Sequence, residues 1–169
     1  MNNIKTFENF NKQDIFTYIK NNDIKSVKNY INSGYDLNIK NNEGETALII
    51  ASHNNKYRIA KLLLDAGADV NKQNNCGNTA LIFEAPENNI KIFKLLLNFG
   101  ADIDKQNIYG NTALMWAAYS NNPEIVKILL NAGADLNKQD IDGNTALIWA
   151  VANNDIEIIK LLLNADADL

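Results

Sequence analysis

His53 and Cys76 are each the only residue of their type in a chain of 169 residues. An imidazole can shuttle a proton and a thiolate can attack carbon, but each needs a second group to activate or orient it. No partner pattern accompanies either one. His53 is expected at an exposed helix end. Cys76 is expected on a turn tip as a solvent-facing thiol, without a His or basic neighbour to lower its pKa. Carboxylates are plentiful, yet Asp36, Asp69, Asp102, Asp135 and Asp168 recur at one interval of 33 residues. Such regularity belongs to turn formation, not to a single acid–base pair. The chain also lacks a Gly-rich phosphate loop and a paired metal-ligand motif. No catalytic residue, metal or cofactor is therefore expected.

The elements that carry these residues are repeated. Gly44, Gly77, Gly110 and Gly143 stand 33 residues apart, and Thr46-Ala47-Leu48 returns as Thr79-Ala80-Leu81, Thr112-Ala113-Leu114 and Thr145-Ala146-Leu147. A fixed period of this size denotes one supersecondary unit copied along the chain, each copy covering its neighbour's apolar face. The units run 41–73, 74–106, 107–139 and 140–169, with a degenerate one at about 8–40 that makes a single array of 1–169. Within each, Thr is placed to cap a short first helix. An Asn-rich break follows, then a second helix such as Ile90–Asn98 or Ile156–Asn164, apolar around most of its circumference. Gly67, Gly100 and Gly133 are placed to end that helix in the left-handed conformation. A protruding turn or hairpin completes the unit.

Asn-x-x-Gly-x-Thr-Ala-Leu-x-x-Ala, a second helix ending Lys-x-Leu-Leu, and Gly-Ala-Asp-Val-Asn together resemble the ankyrin repeat, closely over 41–169 and loosely over 13–40. The resemblance implies an all-α ankyrin-repeat solenoid: an N-terminal capping unit, four full repeats, and non-catalytic recognition of a protein partner. The family's Thr-Pro-Leu-His reads here Thr-Ala-Leu-Ile, or Thr-Ala-Leu-Met in 107–139. The histidine that ties neighbouring loops in the family is thus replaced by Ile49, Ile82, Met115 and Ile148. Leu64 to Asn71 also resembles the turn that asparaginyl hydroxylases modify, and equally the plain family consensus.

Family contacts concentrate on turn tips and the exposed side of the first helix. Carried over, this implies a partner-binding set of Ile108, Tyr109, Asn111, Tyr119, Ser120, Ile141, Asp142 and Asn144 on a concave face. Ile108, Tyr109, Tyr119 and Ile141 are large where earlier units are mostly polar, as an interface hot spot requires. Trp116 and Trp149 lie on the ladder Ile50, Phe83, Trp116, Trp149 and read as stacked core residues, with an aromatic cage as the alternative. Glu84 replaces the small residue held elsewhere by Ala51, Ala117 and Ala150, and Pro86 is expected to end its helix early.

The two ends differ. Thr17, Ser26 and Asn29 stand where full units have apolar residues, while Ile15, Ile24, Val27 and Tyr30 keep the other face apolar. This marks 8–40 as a cap. The last unit keeps Ile148, Ala150, Ile159 and Leu163, and Asp166 takes the helix-ending glycine position. An uncovered apolar end face is an association surface. The alternative function is accordingly a structural or self-associating segment of a longer array, acting through Ile148, Ile159 and Leu163.

Lysines and acids are mixed along a chain of net charge −4 and pI about 5.0. The sequence thus marks out no basic face, and no nucleic-acid partner is expected. The N-terminal residues lack the apolar stretch of a secretory signal, and no apolar run approaches bilayer length. With a single cysteine, the expectation is a cytoplasmic protein in a reducing compartment, with no membrane partner.

Overall fold

A computed structural model describes residues 14–165. Residues 8–13 of the expected cap and Asp166 and Asp168 of the last unit lie outside the described residues. Among the described residues ten helices form five consecutive pairs: α1 (Asp14–Lys20) with α2 (Ile24–Asn32), α3 (Ala47–His53) with α4 (Tyr57–Asp65), α5 (Ala80–Glu84) with α6 (Ile90–Asn98), α7 (Ala113–Tyr119) with α8 (Pro123–Asn131), and α9 (Ala146–Ala152) with α10 (Ile156–Asn164). First helices stack on first helices and second on second, so two parallel rows enclose one elongated core. The described chain is all-α. Its one β interaction is an isolated bridge between Lys40 and Thr46, so the protruding segments are turns.

Helices α3, α5, α7 and α9 each begin on the threonine that the sequence places as a cap, whereas α4, α6 and α8 start without a side-chain cap. Thr46, Thr79, Thr112 and Thr145 accept through Oγ1 from the N–H of Ile49, Ile82, Met115 and Ile148 at 3.3–3.4 Å. One orphan donor of each first turn is thereby satisfied. Between the paired helices the chain reverses through Asn22, Asn55, Asn88, Asn121 and Asn154, all near φ +55°. Asparagine is one of the few side chains that tolerates this region. Its recurrence explains the Asn-rich break.

The core is a set of ladders. Ile59, Ile92, Ile125 and Ile158 are fully buried, as are Ala47, Ala80 and Ala113. Each buried Ile or Leu contributes about 1.5–3 kcal/mol, so inter-repeat packing dominates stability. Polar side chains stitch the same seams. Gln73 Nε2 donates to the carbonyls of Gly77 (2.6 Å) and Gln106 (3.0 Å), and Gln106 Nε2 to those of Gly110 (2.6 Å) and Gln139 (2.9 Å). Glutamine thus supplies an inter-repeat network where the family's histidine is missing.

The second full unit is distorted as its proline requires. Helix α5 has five residues where α3, α7 and α9 have seven. Asn122 of the following pair donates through Nδ2 to the freed carbonyls of Ala85 and Pro86, both at 2.9 Å.

Candidate protein-binding surfaces

The turn tips are built by the first residue of each unit. Asn41, Asn74, Asn107 and Asp140 each accept, through one side-chain oxygen, from the backbone N–H two and four residues on, at 2.8–3.0 Å. Successive tips are then joined by main chain: Asn75 N–H to Glu43 O (3.2 Å), Ile108 N–H to Cys76 O (3.1 Å), Ile141 N–H to Tyr109 O (3.0 Å). A Cβ on Gly77 would stand 2.8 Å from the nitrogen of Ile108, and one on Gly110 2.8 Å from Asp140 Cα. Only glycine permits that approach. The result is a rigid edge from which tip side chains project.

On that edge Ile108 is 59% exposed, Ile141 69% and Tyr109 50%. The Tyr109–Ile141 main-chain bond places the third and fourth tips side by side. Asp142 is exposed, whereas Asn144 turns inward and donates to Asp140 Oδ2 at 3.2 Å. Ser120 is the half-buried C-cap of α7.

Tyr119 belongs to an aromatic cluster. Its ring meets Trp116 edge-on at 5.9 Å and Trp149 edge-on at 5.2 Å. Asn111, Met115, Trp116, Tyr119 and Trp149 line one apolar recess. The two tryptophans are therefore not interior core residues as the ladder suggests; both are half-buried, packed on the core with an edge on the recess. They also differ from each other. Trp149 Nε1 donates to Asp140 Oδ2 at 3.1 Å. The residue equivalent to Asp140 beside Trp116 is Asn107, whose Nδ2 is a donor directed to Asn78 Oδ1 at 2.9 Å. Trp116 Nε1 is left buried without a partner. Burial pushes the Asp140 carboxyl up, but hydrogen bonds from Asn144, Asp142 and Trp149 together hold it below its usual value.

His53 is exposed and packs on Phe83, with ring centroids 5.6 Å apart; Cys76 is an exposed free thiol. The described residues hold no cluster of three or more His, Cys, Asp and Glu that could bind a metal, and none of their helices is long and apolar enough to cross a membrane.

At the C-terminal end, the ladder Ile49, Ile82, Met115, Ile148 changes state. The first three are buried and Ile148 is 47% exposed. Val151 at 57% and Leu163 at 42% lie open as well, and Ile159 is half-buried. Ala150 does not belong to this face, being fully buried. Val151 could have been found from its own ladder, Ser52, Ala85, Ala118, Val151, which becomes large only at the end.

Charge, mixed in sequence, is segregated in space. The turns carry most of the acids but also Lys40, Lys72, Lys105 and Lys138, while α2, α4 and α6 carry Lys25, Lys28, Arg58, Lys61, Lys91 and Lys94 against a single carboxylate, Asp65. This corrects the expectation of no basic face: the cations recur at the 33-residue period, but along the chain they are diluted by the acids between them.

Helix pairs stacked in two rows, with projecting turns joined tip to tip, define a repeat-built solenoid. The chain belongs to the ankyrin-repeat family: the family model for ankyrin repeats in three copies matches residues 15–107 and again 84–169. No curated protein matches the sequence significantly. Ankyrin repeats are generally protein–protein interaction modules and are typically non-catalytic.

Proposed function

We propose that this chain recognises a protein partner through the tips and first helices of residues 107–153, centred on Ile108, Tyr109, Tyr119 and Ile141, with Asn111, Ser120, Asp142 and Asn144 around them. The observation that carries this is the exposure of four large side chains on a fixed backbone: Ile108, Tyr109 and Ile141 on tips joined by hydrogen bonds, and Tyr119 on α7 against Trp116 and Trp149. Binding there orders little, so contact area converts efficiently into affinity. The pair α1–α2 acts as the N-terminal cap in this reading: Thr17 and Asn29 are exposed, while Ile15, Val27 and Tyr30 face inward. The test is affinity capture from the lysate of cells that make the protein, with wild type beside a Tyr109→Ser, Tyr119→Ser variant of unchanged circular dichroism. A protein retained by wild type and lost with the variant is the expected outcome. Equal recovery with both would remove the tyrosines from the contact.

A second reading is favoured by the open end. Ile148, Val151 and Leu163, with half-buried Ile159, lie open on the last helix pair, and self-association through them would cover this apolar surface.

A further inference from the structure

The second-helix row carries a surface that the tip-centred reading does not use. Lys28, Lys61, Lys94, Lys127 and Lys160 fall on one ladder, and Lys25, Arg58, Lys91, Glu124 and Glu157 on the adjacent one. The sign of the second ladder inverts after α6, so the basic band covers α2, α4 and α6 and then stops. Neighbouring rungs are separated by roughly the 8–10 Å between packed helices. Lys61 is paired with Asp65 at 2.7 Å; Lys127, beyond the band, is paired with Glu157 at 2.9 Å. Lys25, Lys28, Arg58, Lys91 and Lys94 make no ion pair within the described residues. Lys91 instead places its ammonium 4.4 Å from the centre of the Tyr57 ring, bridging α4 and α6.

Between α2 and α4 the band has a floor. One groove is lined by Ile24, Tyr57 and Leu62 together with Lys28, Arg58, Lys61 and Asp65, the last of these already neutralised by Lys61. Arg58 is the only arginine of the chain. Its planar guanidinium matches a carboxylate in a bidentate fork, which a lysine cannot do.

We infer that the α2–α4–α6 face docks an acidic polypeptide segment whose carboxylates meet Lys25, Lys28, Arg58, Lys91 and Lys94 while interleaved apolar side chains enter the Ile24–Tyr57–Leu62 groove. Charge complementarity selects the partner: six cations against one carboxylate stand here on a chain of net charge −4. The apolar floor favours a polypeptide over a sugar–phosphate backbone, which has no aliphatic side chains to place there. The surface is separate from Tyr109 and Tyr119, so its fate does not decide theirs.

The test is fluorescence anisotropy of a labelled peptide of three Glu-Glu-Leu-Glu-Glu-Phe repeats, titrated with the whole protein from roughly 0.05 to 0.5 M salt. Saturable binding that weakens with salt is expected. Lys28→Glu with Arg58→Glu should weaken it by about tenfold or more, since like charges then face the ligand. Lys138→Glu with Lys160→Glu makes the same change in net charge off the band and should stay within about twofold. Lys28→Ser with Arg58→Gln gives a milder pair should the reversal disturb folding, and an intermediate loss is expected of it. Absence of saturable binding, or equal losses in the two reversal pairs, would overturn the assignment. Tighter binding of single-stranded DNA or of phosphatidylserine vesicles than of the peptide would overturn the choice of partner.

Discussion

At position 84, where Ala51, Ala117 and Ala150 pack, a glutamate is only 1% exposed, and neither carboxylate oxygen has a hydrogen-bond partner. Burial, reinforced by the charge of Glu87, pushes its pKa up to about 8. The Asn89 carboxamide opposes this as the smallest of the three influences, its Nδ2 being directed to Asn55 Oδ1 at 3.0 Å. The consequence for stability has a definite sign. The folded state holds the proton up to about pH 8, whereas the unfolded chain releases it near 4.5. The stability tied to the neutral acid is therefore complete below the unfolded value and is lost as pH rises through this window, at up to about 1.4 kcal/mol per pH unit. Glu84→Gln should flatten that part of the profile and leave the variant more stable than wild type at pH 8. Urea unfolding of both proteins at pH 5 and pH 8 measures it. Parallel profiles would mean that Glu84 is ionised or solvated in the native state.

Among elements, the first helices are the ones that caps decide. Those of the four full units, α3, α5, α7 and α9, span five to seven residues, too short to persist alone, and each begins on a threonine whose Oγ1 accepts one bond. Thr112→Ala should cost about 1 kcal/mol, read as a lower urea midpoint at unchanged slope. A midpoint equal to that of wild type would assign the Thr-Ala-Leu segment to packing alone. The helix boundaries were legible beforehand because Thr, Asn-Asn and Gly act locally. The shortened α5 was legible from Pro86 for the same reason. What holds it was not, since Asn122 reaches Ala85 and Pro86 from the next pair.

For the whole molecule, the two ends and the two long faces are unequal. The end bearing Ile148, Val151 and Leu163 should make the protein associate as its concentration rises. Ile148→Glu with Leu163→Glu should abolish this, because both side chains are already open and neither substitution buries a charge. Sedimentation velocity of the two proteins across a concentration series is the check. A wild type that remains monomeric throughout would leave the tip-centred reading alone. The faces differ by charge: cations line α2, α4 and α6, where the one helical carboxylate is Asp65.

The sequence by itself determined the period, the helix pairs and their caps, and most of the core, because a repeat interacts with its neighbours through the same few positions each time. The ladder Ile59, Ile92, Ile125, Ile158 needed only that periodicity to be read as buried. The large tip residues Ile108, Tyr109 and Ile141 stood out for the same reason, as departures from a repeating background. Tertiary structure alone decided which side chains meet across repeats. Trp116 and Trp149 occupy one ladder position, yet only Trp149 finds an acceptor, because Asp140 has a second carboxylate oxygen where Asn107 has an amide nitrogen. The cations of the basic band recur on the same period, but only the fold brings them together. They lie 33 residues apart along the chain and roughly one helix diameter apart in space, and electrostatics acts on the second distance.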